Sequence, residues 1–226
     1  MLGLAFPAHA GSPLSKGFSA GYKVTYNGLG LGTTTRHLYQ RDTSTYEYLS
    51  ETTPGGLLSV FVSTKVIERS LIVIGARTVQ AQSYEYHEID NEKDTQYNLG
   101  FNWPKQVLNN SKHNKQFPLT PHTHDALSYQ LALMQGLANG ETRFEFDVAD
   151  LDQIHPYLLS ITGKDLVETP HGTYQTLRLT TPIKPNQPHF TLWCSPQLGY
   201  LPVKIRKTEK DGTELDLLLL NWKQRP

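Results

Sequence analysis

The chain has 226 residues, 21 lysines and arginines against 21 aspartates and glutamates, and a sequence isoelectric point near 7.1. That length suits one large all-β or α+β domain, while balanced charge without a basic stripe argues against nucleic acid as a partner. No run approaches the roughly 18 apolar residues that cross a bilayer as a helix, and the single Cys194 excludes an intramolecular disulfide and a Cys-based structural zinc site.

Residues 1–10 read as the remnant of a secretory signal. A short apolar stretch ends in Ala8-His9-Ala10, which fits a small-x-small cleavage pattern, so the mature protein is expected to start near Gly11 and to be exported. Residues 11–226 are then one domain. Tyr22, Val24 and Tyr26 alternate with Lys23 and Thr25 as on a strand, the Thr-rich stretch from Gly32 to Arg41 fits a partner strand, and Tyr46 and Tyr48 mark a third. Leu71 to Ile74 is a buried strand by its length. Gln80–Ile89 and Thr95–Phe101 flank the polar turn Asp90–Asp94 as a hairpin. Asn102 to Thr123 reads as a long loop with a strand inside it. From Asp125 to Leu137 the period changes: Leu127, Leu131 and Met134 lie at spacings of four and three, with Thr123 or Asp125 to cap the start and Gly136 or Gly140 to end it. Alternation then returns with Phe144, Phe146 and Val148. Later strands are expected near Tyr157–Ile161, Tyr174–Thr181, Phe190–Cys194, Leu201–Lys207 and Thr213–Trp222. Strands on both sides of one helix predict a mainly β (α+β) fold: a single strongly curved antiparallel sheet, or half-open barrel, with one or two helices packed on its concave side.

The last strand carries the functional signal. One face has Leu215, Leu217 and Leu219; the other begins with Glu214 and Asp216 but continues with Leu218, Leu220 and Trp222. A half-buried strand stays polar on its solvent side, so this one is expected to pass under a cover, either a packed helix or a bound apolar ligand.

Motifs for chemistry are weak. Gly28-Leu-Gly-Leu-Gly32 resembles part of a phosphate loop, but Thr33-Thr34-Thr35 follows it rather than a helix, which favours a turn or bulge. His122, His124 and Asp125 lack the further ligands that a metal site needs. Ser128 follows Asp125 by three residues without a nucleophile elbow, and Cys194 shares a strand face with Phe190 and Leu192, as a core residue would. Asp90 with Asp94, and Asp150 with Asp152, sit in turns. The chain therefore reads as a non-enzyme, with no metal and no cofactor.

Three ordered stretches resemble the DUF3108 family of bacterial envelope proteins. They are Gly21–Gly32; Asp125–Tyr129 with Asn139-Gly140 and Phe144–Asp147; and Glu168–Leu177 with Thr191-Leu-Trp193, Gly199–Ile205 and Asp211-Gly212. The resemblance implies export, and a fold like the lipoprotein carriers LolA and LolB, an incurved antiparallel sheet closed over by helices. The expected function is a monomeric binder of a lipid, an acyl chain or a lipoprotein, lined by Leu127, Leu131, Met134, Trp193, Leu218, Leu220 and Trp222. The alternative is an envelope interaction module whose concavity is filled by its own helix.

Overall fold

The computed structural model describes residues 14–55, 64–90, 94–112 and 114–225; the signal-like residues 1–10 lie outside them. Among the described residues there are fifteen strands: β1 (Phe18–Tyr26), β2 (Leu29–Gln40), β3 (Thr45–Pro54), β4 (Lys65–Ile74), β5 (Val79–Ile89), β6 (Asp94–Asn102), β7 (Val107–Asn110), β8 (Lys115–Pro118), β9 (Thr123–Asp125), β10 (Arg143–Ala149), β11 (Ile154–Thr169), β12 (Gly172–Thr180), β13 (His189–Ser195), β14 (Leu201–Thr208) and β15 (Glu214–Gln224). One helix, α1 (Ser128–Ala138), lies between β9 and β10.

All fifteen strands form one sheet, in the order β8 to β1, then β15 back to β9. Two meanders are thus joined where β1 pairs with β15. Every pairing is antiparallel except β9 with β10. A parallel pair needs a crossover, and α1 is that crossover.

The sheet rolls until its flanks face each other. Ser70 on β4 reaches Asp125 on β9, Arg36 on β2 reaches Gln130 on α1, and Asn110 on β7 reaches the Leu151 carbonyl after β10. The outermost strands β8 and β9 do not pair with each other, so the roll is unclosed. This is the predicted curved sheet with a helix on its concave side. The helix is buried all round: nine of its eleven residues are buried. Leu127, Leu131 and Met134 pack with β1 to β7, while Tyr129, Leu133 and Leu137 pack with Phe144, Leu159, Leu179, Leu192 and Ile205. Asp125 fixes its start, its carboxylate accepting the N–H groups of Leu127 and Ser128. Gly136 does not end it; the helix runs on to Ala138, and Gly140 turns the chain at a φ of 85°.

Three expectations are corrected. Residues 102–123 are not one long loop: two short strands, β7 and β8, extend the sheet there, and Thr123 begins β9. Their alternation spans only four residues each, too few for a periodic signal to stand out. Second, Leu218, Leu220 and Trp222 do not share a face. Tyr22 opposes Leu219, but Gly21 opposes Asn221, so Leu220 is an extra residue in a bulge. The bulge reverses the alternation, and Trp222, opposite Ala20, lies on the same side as Leu219. Third, the outer side of the last strands is covered by the chain's own hairpin rather than by a helix. β12 pairs with β13 only over Leu177–Thr180, and the freed end of the β11–β12 hairpin folds across β14 and β15. Val167 and Tyr174 of that hairpin are buried in one cluster with Leu201 and Val203, and Leu218 and Trp193 pack against it.

The glycine-rich stretch is a turn, as expected. Asn27 and Gly28 have φ of 47° and 80°, the double left-handed conformation that matches strand twist in a two-residue hairpin. At Gly32 a Cβ would sit 2.1 Å from the Thr53 carbonyl oxygen, so β2 and β3 approach there only because that residue has no side chain.

Candidate functional site

The register sorts the inner face of the roll into two halves. Around and below Leu131 it is sealed by α1. Towards the end where β1, β3 and β5 finish and β2, β4 and β15 begin, the inner residues are only partly buried. Thr52 opposes Val66, and Val66 opposes Glu88; Glu68 opposes Tyr86; across the roll, Phe190 opposes Lys207 and Lys207 opposes Leu215. All of these are partly exposed, and so are Leu217 and Tyr157. We call this half the mouth. Its apolar side is a chain of rings from α1 outwards: Tyr129 lies 5.6 Å from Tyr157, and Tyr157 lies 5.3 Å from Phe190.

The floor of the mouth is polar. Arg36 is 7% exposed; its Nη1 donates to Gln130 Oε1 at 2.5 Å, and its guanidinium lies 5.3 Å from the centre of the Tyr22 ring. The neighbouring Thr34 and Thr52 hydroxyls bond at 2.8 Å. Glu68 accepts the Tyr84 hydroxyl at 2.7 Å, and burial raises its pKa from the ordinary 4.5 against the pull of Tyr84 and Arg36. Asp125, fully buried, accepts Ser70, and burial raises its pKa too, against the hydrogen bonds that favour its charge. Burial also raises the Tyr22, Tyr48 and Tyr129 hydroxyls above the usual phenol range, so these stay protonated.

The residues expected to line a site are dispersed. Leu127, Leu131 and Met134 are sealed between sheet and helix. Trp193 is on the outer face, donating Nε1–H to Asp165 at 2.8 Å with Lys204 5.0 Å above its ring. Leu218 lies beside it, paired with Lys204 and Lys23. Leu220 is in the bulge, and Trp222 packs at the opposite end of β15 from the mouth. The outer polar ends of these strands are satisfied by Arg206, which holds Asp216 in a bidentate pair and Glu214 at 2.6 Å. Arg36, Glu68 and Tyr129 were missed. The signal was present: Thr34, Arg36 and Leu38 occupy one strand face, and a charge there between a threonine and a leucine marks an inward polar group.

The weaker chemical candidates have structural roles. Ser128 Oγ accepts the Asp125 N–H. His124 stacks edge-on against Phe146, and burial lowers its pKa to about 4. Cys194 is fully buried, its thiol pushed up by desolvation and so far from a thiolate. Among the described residues no three His, Cys, Asp or Glu side chains gather as metal ligands, and no helix is long and apolar enough to cross a membrane. A depression of about 370 Å³ beside Ser83, Asn98 and Lys115 is open to solvent.

Residues 21–219 match the family described as protein of unknown function (DUF3108). No curated protein matches the chain. Among solved structures it is similar to a β-barrel-like protein of the domain of unknown function DUF1849 from Brucella abortus, with a TM-score of 0.62 at 11% identity. That likeness covers 93% of this chain and 98% of the other; it concerns the fold alone.

Proposed function

Because the chain belongs to the DUF3108 family, whose function is unknown, we propose from its own geometry that it is an exported, non-enzymatic binding protein, a periplasmic carrier in the manner of LolA or LolB. It takes an apolar chain into the mouth of the rolled sheet, above α1. The observation that carries this reading is the change along the inner face. Leu127, Leu131, Leu133 and Met134 are sealed, while Val66, Tyr86, Tyr157, Phe190 and Leu217 face inward yet stay partly exposed. A contiguous set of inward apolar groups left partly open to water is where an apolar ligand gains most by covering them. At about 25 cal/mol per Å², a chain removing a few hundred Å² from water there gains several kcal/mol before the costs of association.

Native mass spectrometry of gently purified protein, with uptake of a fluorescent fatty acid as the second measurement, tests the reading. Mass carried by the protein, displaced on adding the fatty acid, is the expected result. Empty protein that takes up none would end it. A second reading, an envelope interaction module without a ligand, is favoured by one observation: α1 already fills the lower half of the concavity. Recovery of one specific envelope protein by ligand-free material would support it.

A further inference from the structure

We propose that the mouth selects an amphiphile with an anionic head group, an acyl carboxylate or an alkyl phosphate, and that Arg36 is the residue that holds the head group. This rests on the mouth reading above and deepens it.

Arg36 is a permanent charge placed where charge is costly. It is 7% exposed, on the inner face of β2. Its partners Gln130 and the Tyr48 hydroxyl are neutral, and so is the Tyr22 ring beneath it. Its Nε is buried without a hydrogen-bond partner among the described residues. It makes no ion pair with a described carboxylate: the nearby Glu68 attracts it but accepts its hydrogen bond from the Tyr84 hydroxyl. A buried cation with no carboxylate hydrogen-bonded to it carries a desolvation penalty that a bound anion offsets, since the interior strengthens charge-assisted bonds. Guanidinium suits carboxylate and phosphate because it offers several N–H groups in one plane. The position is apt as well. Gln130, in the first turn of α1, meets Arg36 where the sealed half ends and the aromatic wall of Tyr129, Tyr157 and Phe190 begins. A head group at Arg36 would send its chain along that wall.

Titration calorimetry at pH 7.5 with dodecanoate, dodecanol and inorganic phosphate tests this. Wild-type protein is expected to bind dodecanoate at least about tenfold more tightly than dodecanol, the scale of one buried charge-assisted bond, and to bind phosphate weakly. Arg36→Met should retain dodecanol and lose the preference. Glu68→Gln, which leaves Arg36 in place and removes the competing carboxylate, should widen it, so the inference stays testable if the arginine variant fails to fold. Equal binding of dodecanoate and dodecanol by wild type would overturn the anion inference while leaving the mouth reading intact. Phosphate bound as tightly as dodecanoate would also overturn it, because the site would then read charge without a chain. If neither amphiphile binds, both readings fall.

Discussion

The Ser70 hydroxyl on β4 donates to the Asp125 carboxylate on β9 across 2.7 Å, although the two residues are 55 positions apart. The same carboxylate accepts the N–H groups of Leu127 and Ser128, each at 2.8 Å. One side chain therefore sets where α1 begins and ties that point to the far wall of the roll.

Asp125→Ala is expected to destabilise the fold by about 2–4 kcal/mol, because it removes a helix cap and leaves the buried Ser70 hydroxyl without its partner. Urea unfolding followed by circular dichroism measures it. A loss below about 1 kcal/mol, within the range of ordinary surface changes, would show that the helix is positioned by packing alone.

Stability should fall as pH rises above the ordinary carboxylate range. Glu68 and Asp125 both have raised pKa values in the folded state, chiefly through burial. Folding then favours their protonated forms. Their contribution is fully present below the unfolded values of 4.5 and 3.8 and is lost as pH climbs through the higher folded values. Glu68→Gln keeps an uncharged side chain at that place, so its melting temperature should exceed that of wild type more at pH 8 than at pH 5. A difference independent of pH would mean that Arg36 already neutralises the charge.

Leu131 is fully buried between the two walls of the roll. Leu131→Ala should cost about 2–5 kcal/mol through lost burial and the cavity left behind. Leu166→Ala, at a side chain that is 67% exposed, should stay within about 0.5 kcal/mol. Similar losses at both positions would contradict a helix enclosed by the sheet.

Tyr174 stands for the folded-over hairpin. It is 8% exposed, in one cluster with Val167, Leu201 and Val203. Tyr174→Ala should cost about 3–5 kcal/mol on the scale of other large aromatic truncations. It should also raise binding of a hydrophobic dye, as Leu218 and Trp193 lose their cover. Unchanged dye binding would place the hairpin's contribution elsewhere.

Much of the architecture was legible because strand and helix periods are local. Tyr22 and Val24, Phe144 and Phe146, and the Leu127–Leu131–Met134 spacing each mark an element and its apolar face without reference to the rest of the chain. Turn residues such as Asn27-Gly28 and Asp211-Gly212 marked where strands reverse. The site was less legible. Arg36 and Glu68 were passed over: Arg36 shares a strand face with Leu38, but alternation does not say how far that face is enclosed.

What the sequence determined by itself was a set of two-faced strands, a helix apolar enough to be enclosed and the order in which hairpins link them. Tertiary structure alone decided which face was enclosed, how far the roll closed and what lay beneath the hairpin. Alternation assigns side chains to two faces but does not say which face turns inward, and one extra residue at Leu220 was enough to move Trp222 from one to the other. Arg36, Gln130, Glu68 and Tyr129 meet only because a rolled sheet brings β2, β4 and α1 around one centre, a distance relation that no local period encodes.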